Sequence, residues 1–223
     1  MTPCLEIHDL LFRRPDGFSL RVPELVLEPG QRVLVAGPSG CGKSTLLLLA
    51  AGLLDAAEGR ILIGGDDLVP LAPAARDALR ARRIGMVFQT HHLLAGFTAR
   101  ENVALALLFA GVPAREHADR AGRVLSELGI ERPDMRVDRQ SVGQQQRIAI
   151  ARALAVGPDI ILADEPTASL DPSNARAAVE LLQNACEEHG AALLLTSHDP
   201  TLAELLPRTI EFESLVAPAE VDA

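Results

Sequence analysis

The sequence predicts an α/β fold organised on a parallel sheet, and three observations carry that prediction. Short apolar runs at 32–36, 158–166 and 191–199 have the length and make-up of strands buried on both faces. A glycine-rich loop joins the first run to a helix-forming segment. A helical stretch bounded by Asp171 and Gly190 then crosses from the second run to the third. The chain's 223 residues suffice for one such domain with a subdomain, and they bury an ample core without disulfides or metal staples.

The first element, Arg32-Val33-Leu34-Val35-Ala36, leads into Gly37-Pro38-Ser39-Gly40-Cys41-Gly42-Lys43-Ser44-Thr45 and then into Ser44 to Gly52, a run of helix formers. This is the strand, loop and helix context of the phosphate-binding pattern G-x-x-x-x-G-K-[ST]. Backbone N–H groups of such a loop cradle phosphates, and the helix N-terminus adds unpaired donors and partial positive charge. Lys43 is the only lysine in the chain; every other basic side chain apart from histidine is arginine. A compact ammonium sits between phosphates as a point charge, whereas a guanidinium is bulkier and wants a bidentate partner. Ser44 is expected to place its hydroxyl on Mg²⁺. Cys41 reads as a small loop residue, with no redox role required.

The second element, Pro158-Asp159-Ile160-Ile161-Leu162-Ala163-Asp164-Glu165-Pro166, ends in two carboxylates. Ligands of open α/β sheets lie beyond the carboxyl ends of the strands. Asp164 is therefore expected to hold Mg²⁺, and Glu165 to orient or deprotonate the water that attacks a γ-phosphate. In the crossover that follows, Asp171 is a good N-cap with Pro172 at the first helical position, and Gly190 suits the exit. Its capping role leaves room for a second one. The third element, Ala191 to Asp199, delivers His198 beside the other strand ends, where it is placed to donate a hydrogen bond to the γ-phosphate. Upstream, Ser141 and Gln144 form a capping-box pattern ahead of a helix that stops at Gly157-Pro158, so this too is a helix N-terminus able to receive phosphate.

Composition bounds the rest. A net charge of −9 and a pI near 5.1 disfavour a nucleic-acid surface, which needs a basic stripe. Cys4, Cys41 and Cys186 are few, odd in number and scattered, as in a cytoplasmic protein with reduced thiols. The opening residues lack a signal-peptide pattern, and no apolar run approaches the roughly 20 residues that span a bilayer. Membrane association is thus expected to come through a partner chain. Residues 217–223 read as a frayed, solvated end.

Taken together, these segments resemble the ATP-binding cassette (ABC) ATPases across essentially the whole chain. Gln140-Ser141-Val142-Gly143-Gln144 resembles the family signature L-S-G-G-Q, Gln89 the Q-loop, Asp164 and Glu165 the Walker B pair, Ser169-Leu170-Asp171 the D-loop, and His198 the switch histidine. The segment from Phe88 to Val103 looks like that of cassettes serving lipoprotein-releasing and macrolide-export transporters.

The resemblance implies a P-loop, RecA-like core with an antiparallel β subdomain, formed by 1–89 and 157–223, and a helical subdomain over 90–156 that carries the signature. It further implies ATP and Mg²⁺ as cofactors, with Gln89 at the metal and linking the γ-phosphate to a permease. A second cassette would close each ATP through its Ser141, Gly143 and Gln144, and Asp171 would lie at the nucleotide. The chain would be peripheral on the cytoplasmic face of the inner membrane, powering export or membrane extraction. A soluble ABC ATPase of DNA repair or translation is the alternative; it is disfavoured by the absence of a long coiled-coil insertion and of a second cassette. A P-loop kinase or GTPase is disfavoured by the signature together with Glu165 and His198.

Two departures stand out. Gln140 and Val142 replace the usual leucine and first glycine of the signature, and Arg14 falls where the family stacks an aromatic on adenine, with Phe12 and Phe18 as rivals. A guanidinium plane also stacks on a base. The apolar stretch Val103 to Phe109 is either subdomain core or a surface for the permease.

Overall fold

The computed structural model describes residues 2–168 and 170–217, apart from the side chains of Pro172 and Ser173; Ser169 and the tail residues 218–223 lie outside it. Strands β3 (Arg32–Ala36), β6 (Ile84–Phe88), β7 (Ile160–Asp164), β8 (Ala192–Ser197) and β9 (Arg208–Glu211) form a parallel sheet in the order β6-β7-β8-β3-β9. Strands β1 (Leu5–Arg13), β2 (Ser19–Leu27), β4 (Glu58–Ile63) and β5 (Asp66–Asp67) form an antiparallel sheet in the order β2-β1-β4-β5. The mixed architecture is the α/β class expected from the apolar runs.

Side-chain alternation along the strands makes the parallel sheet the middle layer. Val33, Val35, Ile160, Leu162 and Leu194 turn to one face and pack with the antiparallel sheet and helix α1 (Lys43–Ala50). Leu34, Ile161, Ala163, Leu193 and Leu195 turn to the other and pack with helices α3 (Ala99–Phe109), α4 (Ala114–Glu127), α5 (Val142–Leu154) and α6 (Pro172–His189). Because both faces are covered, the strands read as continuous apolar runs rather than as alternating ones. Helix α2 (Pro73–Arg83) precedes β6, and the short helix α7 (Phe212–Leu215) follows β9.

Helix boundaries follow local chemistry. Asp171 caps α6 by accepting from the Asn174 amide at 3.2 Å, and Gly190 closes the helix with φ 68°, a conformation that a β-carbon disfavours. Thr98 caps α3 reciprocally with Glu101. Replacing Thr98 with Ala is expected to lower Tm by about 2–4 °C, read by thermal unfolding of the two proteins side by side.

The stretch Val103 to Phe109 is divided between core and surface. Val103 and Leu107 are fully buried, while Leu108 and Phe109 are 56% and 75% exposed at the end of α3. The expectation of a frayed end from 217 onward needs correction at its first residue. Ala217 bridges Arg21 in antiparallel fashion, its amide donating to the Arg21 carbonyl at 2.9 Å, because the strand edge at β2 has a backbone acceptor to spare there.

Candidate active site

Register alone brings the strand ends together. Phe88 lies opposite Asp164, Asp164 opposite Thr196, and Ser197 opposite Ala36, so residues 89, 165, 198 and 37 leave the same edge of the sheet side by side. The loop after β3 turns at Gly40 and Gly42, with φ 81° and 119°, values a side chain strongly disfavours. At Gly42 a β-carbon would also lie 3.1 Å from Cζ of Phe212 and 3.2 Å from Cζ of Phe18. The glycine-rich loop therefore rests against two rings, one on the hairpin side and one on α7.

Lys43 opens α1 and is almost wholly buried. Its Nζ donates to the carbonyls of Gly37 and Pro38 at 2.8 and 2.9 Å and lies 3.2 Å from Glu165 Oε1. The other oxygen, Oε2, is 2.6 Å from His198 Nδ1. Next to this triad the Ser44 hydroxyl donates to Asp164 Oδ1 at 2.9 Å. Glu165 adopts φ 43°, left-handed for a residue with a side chain, at a cost on the order of 1–3 kcal/mol. The neighbouring strand holds it there: the Glu165 amide donates to the Thr196 carbonyl at 3.1 Å. An ammonium, a hydroxyl, two carboxylates and an imidazole thus converge on one glycine-rich helix N-terminus, a constellation suited to phosphoryl transfer from a nucleotide.

A family model described as ABC transporter matches residues 20–168. The chain belongs to the ABC transporter family. It is the ATP-binding and ATP-hydrolysing cassette that powers an ABC transporter. Among similar proteins, the lipoprotein-releasing system ATP-binding protein LolD 2 of Caulobacter vibrioides is 42% identical over 86% of this chain and 84% of its own length. LolD of Maricaulis maris is 44% identical over 86% and 85%. Of solved structures, the ATP-binding cassette MJ0796, in a dimeric post-hydrolysis state bound to ADP and Pi, superposes with a TM-score of 0.79 at 33% identity, covering 93% of each chain.

Within this cassette the remaining expected site residues lie around the triad or apart from it. Gln89 is exposed immediately beyond β6, next in the edge to Glu165. Pro38, Ser39, Cys41 and Thr45 belong to the loop and the first turn of α1. Ser141, Gly143 and Gln144 stand at the start of α5, where their hydrogen bonds run within the cap itself. The Gln144 amide donates to Ser141 Oγ at 3.3 Å, and the Ser141 amide to Gln144 Oε1 at 3.1 Å. Asp171 caps α6, and Ser169 of the same loop lies outside the described residues.

The two departures acquire structural content. Val142 is the first residue of α5 and 54% exposed, so helical geometry accepts its β-carbon and leaves its side chain on the surface. Gln140 is buried; its Nε2 donates to the carbonyls of Met135 and Arg132 at 3.2 and 3.4 Å and fastens the preceding loop to the signature. Arg14 ends the β1–β2 hairpin with its guanidinium carbon 5.8 Å from the centre of the Phe18 ring. Phe12 is core, whereas Phe18 is half-buried and touches the phosphate loop at Gly42. Sequence reasoning passed over Thr196, Phe212 and Arg152. Arg152 sits on α5 and donates to the carbonyls of His91 and His92, which follow Gln89 in left-handed conformations with φ 57° and 47°. Thr196 closes an apolar run just before Ser197, where its hydroxyl gave no local sign of a partner.

Proposed function

We propose that this cassette drives a transporter of the lipoprotein-releasing type, hydrolysing ATP between two copies of itself beneath a membrane-embedded permease. The observation that carries the hydrolytic half is the convergence of Lys43 and His198 on the two oxygens of Glu165, with Ser44 and Asp164 alongside. The backbone of 37–45 and the Lys43 ammonium hold the β- and γ-phosphates. Ser44 and Asp164 offer a hydroxyl and a carboxylate within hydrogen-bond distance, hard oxygen donors of the type Mg²⁺ prefers, with exposed Gln89 as a third. Mg²⁺ bound there neutralises charge on the phosphate oxygens. Glu165 accepts the proton of the attacking water, and His198 donates to the γ-phosphate. Arg14 over Phe18 supplies a flat surface for the adenine.

Ser141, Gly143 and Gln144 of a second copy close the nucleotide from the other side, with Asp171 next to it. This reading is supported by the dimeric state of the MJ0796 cassette and by the position of Ser141, Gly143 and Gln144 at the N-terminus of α5. Residues 90–156 act as a helical subdomain that carries the signature, against a core of 1–89 and 157–223. The permease docks in a largely apolar cavity of about 400 Å³ lined by Met86, Phe88, Ala106 and Phe109, with Arg80, Arg152 and His92 also in its wall. No helix among the described residues is long and apolar enough to cross a membrane, so attachment to the cytoplasmic face of the inner membrane runs through that permease.

Affinity purification of the tagged chain from detergent-solubilised membranes tests the assignment. A multi-spanning partner is expected to co-purify and, in vesicles loaded with an acylated lipoprotein, to release it on addition of ATP. Recovery only from the soluble fraction, with a nuclease or ribosomal partner, overturns it. Since Lys43 is the lone side-chain amine, amine-directed labelling competes only with Met1, and saturating ATP is expected to protect Lys43. Labelling of Lys43 unchanged by ATP would count against its phosphate role.

A further inference from the structure

Strand β8 is Ala-Leu-Leu-Leu-Thr-Ser and is buried throughout, and Thr196 is fully buried in it. Valine would fill that volume equally well. A hydroxyl placed there is unfavourable unless its hydrogen bonds are made. They are made, and all of them go to residues 163–165 on the adjacent strand. Thr196 Oγ1 is 2.9 Å from Asp164 Oδ1 and 3.5 Å from the Ala163 carbonyl, so its single proton goes to the carboxylate. As an acceptor the same oxygen lies 3.3 Å from the Glu165 amide, whose other acceptor is the Thr196 carbonyl at 3.1 Å. One side chain therefore grips the carboxylate of Asp164 and the backbone of Glu165, the residue held at φ 43°.

We propose that Thr196 is a positioning residue for ATP hydrolysis, its buried hydroxyl fixing the Asp164 carboxylate and the Glu165 backbone in one relative orientation. Two donors meet on Asp164 Oδ1, Ser44 and Thr196, both at 2.9 Å. Ser44 is itself a candidate ligand of the cation through an oxygen lone pair, so the position of its hydroxyl answers to the metal as well as to Asp164. The Thr196 bond carries no such second duty and keeps the carboxylate aimed in either case. Partners that orient a ligating carboxylate in this way change metal affinity or activity by about 10- to 100-fold when removed.

The inference rests on the roles proposed for Asp164 and Glu165, and it is tested with Thr196→Val, which keeps shape and loses the hydroxyl, and Thr196→Ser, which keeps the hydroxyl. Binding of a fluorescent ATP analogue is measured in EDTA and across a Mg²⁺ titration, beside steady-state kcat and KM. For Thr196→Val the affinity in EDTA is expected to match the unsubstituted protein, the Mg²⁺ concentration for half-maximal effect to rise about tenfold, and kcat to fall by a similar factor with KM little changed. Thr196→Ser is expected to restore both. Should Thr196→Val fold poorly, Thr196→Ala removes the same hydroxyl without adding a methyl, and the comparison is run with it.

A Mg²⁺ dependence and kcat within twofold of the unsubstituted protein, or equal impairment in Val and Ser variants, overturns the inference. Asp164→Asn and Glu165→Gln run alongside separate the two levels. If these hydrolyse normally, the roles of Asp164 and Glu165 fall. If they are inactive while Thr196→Val is unaffected, only the role of Thr196 falls.

Discussion

Glu165→Gln is expected to bind Mg-ATP, to turn it over about 100- to 10,000-fold more slowly than the unsubstituted protein, and to accumulate as a dimer. The amide keeps the side chain's length and offers an oxygen to the His198 ring N–H, which lies 2.6 Å from Oε2 in the native geometry. What it loses is basicity, so the attacking water keeps its proton. It also loses the charge that faces Lys43 at 3.2 Å, which leaves the ammonium wholly available to phosphate. Both changes favour a nucleotide-loaded state that forms and does not decay. Size-exclusion chromatography with light scattering, with and without Mg-ATP, reads the outcome directly. A protein that stays monomeric at saturating Mg-ATP contradicts a site shared between two copies, and one that hydrolyses normally removes Glu165 from the mechanism.

Lys43→Ala is expected to abolish measurable ATP binding. Truncating one partner of a buried, hydrogen-bonded charge pair costs about 2–5 kcal/mol, roughly 30- to 4,000-fold in Kd. The methyl side chain also leaves the Gly37 and Pro38 carbonyls without the donor that now reaches them at 2.8 and 2.9 Å, so the loop loses an internal brace as well as its charge. Calorimetric titration with ATP gives the affinity, and thermal unfolding separates loss of binding from loss of fold. Lys43→Arg sharpens the test. If positive charge alone sufficed, arginine would rescue; a slot shaped for a compact ammonium predicts that it does not. Binding by the alanine variant at near-native affinity would remove Lys43 from the phosphate site.

Much of this geometry was legible in the sequence because parallel strands announce themselves as unbroken apolar runs, and their carboxyl ends mark the ligand edge. The run at 32–36 became β3 residue for residue, and those at 158–166 and 191–199 contain the shorter strands β7 and β8. Lys43, Ser44, Asp164, Glu165 and His198 consequently fell beside one another. The antiparallel sheet was legible only through family resemblance, since the alternation along β1 and β2 breaks in mid-strand and β4 and β5 are short.

The surroundings of Arg14 were obscured for a different reason. The residue that meets Phe18 across the glycine of the loop is Phe212, nearly two hundred positions away, and no local pattern encodes such a meeting. Thr196 was hidden by its setting, because in a run chosen for hydrophobicity one β-branched polar residue looks like a substitute for valine. The exposed end of α3 could not be divided into core and surface until the helix phase was known, and then Leu107 and Leu108 separated cleanly.

The order β6-β7-β8-β3-β9 places β8 between β7 and β3 although it is almost the last strand to be synthesised. During translation, therefore, the two halves of the hydrolytic centre have no common neighbour until residues 192–197 leave the ribosome. A nascent chain that already displays its glycine-rich loop and both carboxylates lacks the strand that pairs with both β3 and β7, and has no imidazole to complete the triad. A chain terminated before β8 therefore lacks His198 and leaves apolar faces of β3 and β7 uncovered, surface of the kind that makes incompletely folded chains prone to aggregation.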